Sequence, residues 1–183
     1  LRLNQRPFAA RVVASVIDFI LCGIVAIVPL VTAFNMVGGA TMTSVSDLAS
    51  VGFSTVAITG VLALSLLFSW AYHVLIPLKL IPGKTPGKYL INLEIVMVDG
   101  SPATLQALSI RWAFLTVCET LCTFASALLI QYVTLLFGET VGNAYTFAGA
   151  LVTAISAWMV WHNKPQRRAL HDLLAGTWVY TGS

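Results

Sequence analysis

The chain has 183 residues, 58% of them hydrophobic and 9% charged, with a mean hydropathy of +0.88. A soluble domain carries about 25% charged residues, so ten Lys or Arg and seven Asp or Glu cannot clothe a globule of this size in water. Disulfide-rich secreted, fibrous and disordered classes are excluded, as is a nucleic-acid binder despite the formal charge of +3, which leaves an integral membrane protein.

Four apolar runs exceed the ~18-residue threshold for a membrane span. Span 1, residues 12–34, contains one charge, Asp18, and one kink candidate, Pro29. Span 2, residues 51–76, has no charge and is expected to stop at Pro77. Span 3, residues 112–137, carries Glu119, and span 4, residues 141–161, carries none. Helices of these lengths cover roughly 32 to 39 Å, enough to cross a bilayer with some tilt. The first run is too long for a signal-peptide core and no small-residue cleavage site follows it. The predicted fold is therefore all-α, a four-transmembrane-helix bundle forming a single domain over residues 1–183. The chain starts at Leu1 rather than Met, as a trimmed piece of a longer product would.

All ten basic residues fall on one side. Arg2, Arg6 and Arg11 precede span 1; Lys79, Lys84, Lys88 and Arg111 lie between spans 2 and 3; Lys164, Arg167 and Arg168 follow span 4. The positive-inside rule then makes both termini cytoplasmic, with Trp70, Tyr72, Trp112, Trp158 and Trp161 as an inner aromatic belt. The Gly-, Ser- and Thr-rich connection 35–50 reads as a flexible external loop.

Between spans 2 and 3, Gly83-Lys84-Thr85-Pro86-Gly87-Lys88 precedes Ile91, Leu93, Ile95 and Met97 on alternate positions, and Asp99-Gly100 then marks a turn. This is a cytoplasmic strand–turn segment. A phosphate-binding loop is ruled against by the missing first glycine of GxxxxGK[ST] and by Tyr89 after Lys88. A lipid-headgroup platform of Lys79, Lys84 and Lys88 ranks above it, and a plain solvated turn above both. After span 4, residues 167–174 read as an interfacial amphipathic helix stopped by Gly176, with Leu170, Leu173 and Leu174 on its apolar side and Arg168 able to pair with Asp172. The final Trp178-Val179-Tyr180 is a candidate interfacial anchor.

An intramembrane carboxylate costs ~2.5 to 3.5 kcal/mol on insertion scales, so it faces water or a partner. Asp18 lies about 10 Å beyond Arg11 along its helix, and Glu119 about 12 Å beyond Arg111, at similar depths. In the functional reading both acids line a cytoplasm-facing cavity that takes up cations or protons, since burial and a neighbouring acid both favour a protonated carboxyl. In the structural reading Asp18 pairs with Arg111 or another arginine and fixes helix packing. Function is the better reading for Asp18, whereas for Glu119, beside Thr116, Thr120 and Thr123, the two stand nearly level. His73, His162 and His171 fall near the inner interface and Cys22, Cys118 and Cys122 within spans; none has the spacing of a haem, zinc or disulfide site. Gly23, Ala57 and Gly60 are candidate close helix contacts.

Taken together, Arg11, Asp18 and Asp172, the stretch Gly83-Lys84-Thr85-Pro86-Gly87-Lys88-Tyr89-Leu90 running to Asp99-Gly100, and the closing Arg167-Arg168-Ala169-Leu170-His171-Asp172-Leu173-Leu174-Ala175-Gly176-Thr177 resemble the RDD family of membrane proteins. The resemblance implies a bacterial membrane protein suggested to transport unknown ligands, with some members linked to sodium–proton antiport. It singles out Arg11, Asp18 and Asp172 for test; Glu119 lies outside that signature.

The expected function is secondary transport in the bacterial inner membrane, exchanging Na+, Li+ or K+ for protons. Asp18 is the coupling carboxylate and Glu119 assists. Arg11, Arg111 and Asp172 form a charge cluster in which Asp172 pairs with Arg11 and tethers the C-terminal helix. Four helices are few to enclose a pathway, so a homodimer or a place in a larger complex is expected. The competing expectation is an assembly factor or accessory subunit whose charge cluster is structural. No enzyme chemistry, cofactor or metal is called for.

Overall fold

The computed structural model describes residues 8–37, 44–162 and 167–181. Arg2, Arg6, Lys164 and the loop positions 38–43 lie outside them. The first apolar run forms α1 (Phe8–Ala26) and α2 (Val28–Met36), broken at Ile27 where Pro29 begins a new helix. α3 (Val45–Ser50) follows, and then α4 (Thr55–Trp70). α4 continues as a wider π-helical stretch, Ala71–Leu80, which carries Pro77 inside it. A π turn shifts the hydrogen-bond ladder by one residue, so the helix does not stop at Pro77 as the sequence suggested. The short α5 (Pro86–Leu90) and strand β1 (Leu93–Met97) come next.

α6 (Leu105–Val117) and α7 (Phe124–Phe137) correct the third span: residues 118–123 interrupt it, and the helix begins well before Trp112. Cys118 and Cys122 therefore do not sit one turn apart on a continuous helix. Thr123 starts α7 by accepting from Ser126 N, and Thr104 starts α6 by accepting from Ala107 N. Gly138, at φ 86°, permits the sharp reversal into α8 (Glu139–His162). α9 (Leu170–Leu174) and β2 (Thr177–Thr181) close the chain.

Among the described residues the molecule is mostly helical, and three helical stretches are long and apolar enough to cross a membrane: Phe8–Met36, Thr55–Leu80 and Glu139–His162. The expected strand of the segment between the second and third runs is present as β1, and its partner comes from the C-terminus, where no strand was expected. β1 and β2 pair antiparallel, Leu93 opposite Thr181 and Met97 opposite Thr177. The Trp178-Val179-Tyr180 segment is thus a strand and not an independent anchor, with Val179 buried against Leu93 and Ile95.

Among the described residues, two larger apolar cores and a smaller cluster of Cys22, Ala26 and Tyr72 result. One joins Leu30 and Phe34 of α2, Leu48 of α3, Ile58 and Leu62 of α4 and Leu128 of α7. Ser44 caps α3 reciprocally with Asp47, and Val45 N donates to Gln131 Oε1 at 2.8 Å, so this half of the supposed flexible loop is anchored. The second core gathers Ala14, Val74, Leu108 and the two strands. The inner aromatic belt is divided as well. Trp70 and Trp112 donate to Ser109 and Ser69, both at 3.1 Å, and Tyr72 is buried, whereas Trp158 and Trp161 stay exposed. A Cβ on Gly23 would sit 3.3 Å from Phe124, a close contact as expected; one on Gly60 would meet nothing.

Candidate functional site

The segment 83–90 does not lie in solvent. It folds against α1, where a Cβ on Gly87 would come within 2.8 Å of Asp18 Cγ and collide with Ala14 O. Only glycine allows that approach. It lets the Gly87 amide donate to Asp18 Oδ1 at 2.8 Å, beside the Tyr72 hydroxyl at 2.9 Å. The other oxygen, Oδ2, accepts from Thr85 Oγ1 at 2.5 Å and from Lys88 Nζ at 3.1 Å. A carboxylate has about four acceptor sites, and Asp18 has four donors. Its ionic partner is Lys88, not the arginine that the packing reading expected. Lys88 is buried by the same fold and paired with Asp18, so the segment is neither a solvated turn nor an open surface platform of Lys79, Lys84 and Lys88. Burial pushes the Lys88 ammonium below its ordinary value, and Asp18 acts against that push.

Asp172, fully buried, is the hub of a second cluster. Its Oδ1 takes the Arg111 Nη1 donor and the Thr177 hydroxyl at 3.4 Å; its Oδ2 takes Ala169 N at 3.1 Å and Arg11 Nη1 at 3.5 Å. Arg11 is held in place by two further bonds of 2.6 Å, to the carbonyls of Arg167 and Val179. The cluster thus ties α1, α6, α9 and β2 together. The expected Arg168–Asp172 ion pair is replaced: Arg168 donates to the backbone carbonyls of Asp172 and Thr177, both at 3.1 Å. Two guanidiniums from other helices already take the carboxylate, which points inward and leaves the outer face of α9 to Leu173 and Leu174.

Glu119 lies in the break between α6 and α7 and is 1% exposed. Both its oxygens stand 3.0 Å from His171 Nδ1, and Cys122 Sγ approaches at 3.5 Å. Burial, and after it the Arg111 guanidinium, push the His171 ring down to about 4. A neutral ring with its proton on Nδ1 donates to Glu119, so one proton serves the pair. His171 is therefore packed within the protein, its side chain 12% exposed, and is not a surface histidine.

Two cavities border these groups. The larger, about 470 Å3, lies between α1 and α8 and reaches Arg11, Arg111, Glu119, His171 and Asp172. The smaller, about 70 Å3, is bordered by Asp18, His73, Thr85 and Lys88. Lys88, Arg111, Cys122 and His171 line both. His73 Nε2 is buried there with no hydrogen-bond partner among the described residues.

The model of the RDD family matches residues 6–176. The chain belongs to the RDD family. No curated protein and no solved structure matches it. In this RDD protein the structure brings Arg11, Arg111 and Asp172 into one cluster. Asp18 and Glu119 take different partners, and only Glu119 borders the larger cavity. The sequence reading passed over Thr85, Gly87 and the pairing of Lys88. The available signal was Thr85-Pro86-Gly87 itself, a helix start whose glycine leaves room for an acceptor. It also passed over His171 as the partner of Glu119, for which the linear sequence held no signal.

Proposed function

We propose that this RDD protein is a secondary transporter exchanging a monovalent cation for protons, with Glu119 as the exchanging carboxylate and His171 as its partner. One observation carries the reading: a buried carboxylate stands in a broken helix at the edge of a cavity, held by a neutral imidazole and approached by the Cys122 thiol. Interrupted helices within membranes are tolerated where they line such cavities and commonly mark ion sites. A proton and a cation compete for the same negative charge, which suffices for exchange. The saturation of Asp18 makes it the lock that holds segment 83–90 on α1, and moves the coupling role to Glu119.

In this reading the α6–α7 unit is the fourth crossing, made as two half-helices. Both termini face the cytoplasm of a bacterial inner membrane because the basic residues gather there. A second copy of the chain completes the pathway. The test uses purified protein in liposomes containing a pH-sensitive dye, with Na+, Li+ or K+ added outside. Wild type produces a cation-dependent pH change, and Glu119→Gln abolishes it while eluting from a sizing column as wild type does. Absence of flux from well-folded wild type with all three ions overturns the proposal.

The full set of donors on Asp18 and Asp172 favours a second reading, an assembly factor or accessory subunit in which both clusters are structural. Its mark is co-purification of a membrane partner in stoichiometric amount from gently solubilised cells, together with no ion flux.

A further inference from the structure

The cavity of about 470 Å3 is far larger than a metal cation or a water of ~30 Å3 requires, and falls in the range of roughly 300–1,000 Å3 typical of small-molecule sites. Its shape follows from two facing helical stripes. α1 presents Phe8, Val12, Val16 and Phe19; α8 presents Ala157 and Val160. From Phe8 to Phe19 the gap runs about 16 Å along α1. Phe8 stacks on Trp161, with centroids 6.0 Å apart, across the start of α1 and the end of α8. Val12, Val16 and Phe19 line the gap yet remain more than a third exposed, so it opens sideways between the helices, where a bilayer would present acyl chains.

The base of the gap is charged, and the charges do not cancel. Arg11, Lys88 and Arg111 reach it; Arg167 acts on Arg11 from close by, and Arg168 bonds to the Asp172 carbonyl. Against the three cations that line the cavity stand the two carboxylates that line it, Glu119 and Asp172, leaving a surplus of one positive charge. An apolar slot open to the membrane and ending in a net-positive, largely desolvated base is complementary to an amphiphile with an acidic head.

We infer that the groove between α1 and α8 binds an anionic lipid, its acyl chain along Val12, Val16, Phe19 and Val160 and its acidic head at the Arg11–Arg111 base. This goes beyond the exchange reading and does not rest on it, because binding is read with no ion gradient. Glycerol phosphate, which carries the acidic head without acyl chains, is the control for binding of a free phosphate ester.

The experiment is native mass spectrometry of the full chain released from detergent. It is offered phosphatidylglycerol, phosphatidylethanolamine of the same chains, or glycerol phosphate alone. Phosphatidylglycerol is retained in preference to phosphatidylethanolamine, and glycerol phosphate is not retained. Ala157→Trp and Val16→Trp fill the gap from opposite walls without touching either charge cluster. Whichever of them elutes as wild type does loses the bound lipid. Equal retention of the two lipids overturns the inference, as does undiminished retention in a folded gap-filled variant. So does binding of glycerol phosphate as tight as that of the lipid.

Discussion

The Gly87 amide donates to Asp18 Oδ1 at 2.8 Å, joining backbone and side chain across 69 positions of sequence. Through this bond the 83–90 segment is held on α1. A methyl group at position 87 would stand 2.8 Å from Asp18 Cγ and collide with Ala14 O. Gly87→Ala should therefore destabilise the protein by about 1 to 3 kcal/mol, the usual cost of overpacking a tight contact. Thermal unfolding in detergent reads this out; an unchanged midpoint would show that the segment does not pack on α1.

Asp172 stands between Arg11 and Arg111. Removing one partner from a buried ionic cluster leaves uncompensated charge and costs about 3 to 5 kcal/mol, whereas replacing the charged groups together costs far less. Asp172→Asn should consequently unfold more readily than wild type. Asp172→Asn combined with Arg111→Met should recover part of the loss. Urea or thermal midpoints of the three proteins would decide it, and a double variant no better than the single would refute the hub.

The His171 ring titrates near 4 when folded and near 6.5 when unfolded, because burial and Arg111 disfavour its charged form while Glu119 opposes them. The unfolded chain then binds more protons than the folded one between these values. The stability linked to His171 is complete above about pH 6.5 and declines as the pH falls towards 4, by on the order of 3 kcal/mol. Lys88 and Asp172 also face the ring, so the comparison is made against His171→Gln. The variant should show a flatter fall in unfolding midpoint across this window. Parallel curves for the two proteins would place the titration elsewhere.

Two helical glycines make a matched pair. A Cβ on Gly149 would press into Thr120, 2.7 Å from its Cβ, whereas one on Gly60 meets nothing within 4 Å. Gly149→Ala should destabilise by about 1 to 3 kcal/mol, and Gly60→Ala should stabilise by up to about 1 kcal/mol through helix propensity. Shifts of unfolding midpoint in opposite directions are the expected result. A stabilised Gly149→Ala would mean that α8 does not close on the 118–123 break.

Much of the architecture was legible because it depends on composition and period. Apolar length marked residues 12–34, 51–76 and 141–161. The alternation from Leu93 to Met97 marked a strand, and Pro29 marked the division of the first helix. The break at 118–123 was not legible, for hydropathy counts apolar residues without asking whether the backbone ladder is continuous. Neither Gly nor Pro stands there. What interrupts the helix is a polar run in which Thr123 starts a new one. The clusters were half legible: the sequence pointed to Asp18 and Asp172 as charges in need of partners. That Asp18 goes to Lys88 and Asp172 to Arg111 depends on where segment 83–90 and the C-terminal strand fold back, and strand pairing over such separations leaves no local trace.

Arg11 and Asp172 are 161 positions apart, and Arg111 and Asp172 are 61 apart. At roughly 5 to 20 residues per second, a ribosome emits Asp172 about 8 to 30 s after Arg11. Arg11 waits through the whole of that interval, and Arg111 through its last ~3 to 12 s, without the carboxylate that neutralises them, and β1 waits without β2. The end of the protein that carries this cluster consequently cannot mature in the order of its synthesis: α1 and α6 must remain movable, or be shielded by the insertion machinery, until the final strand arrives and fastens them.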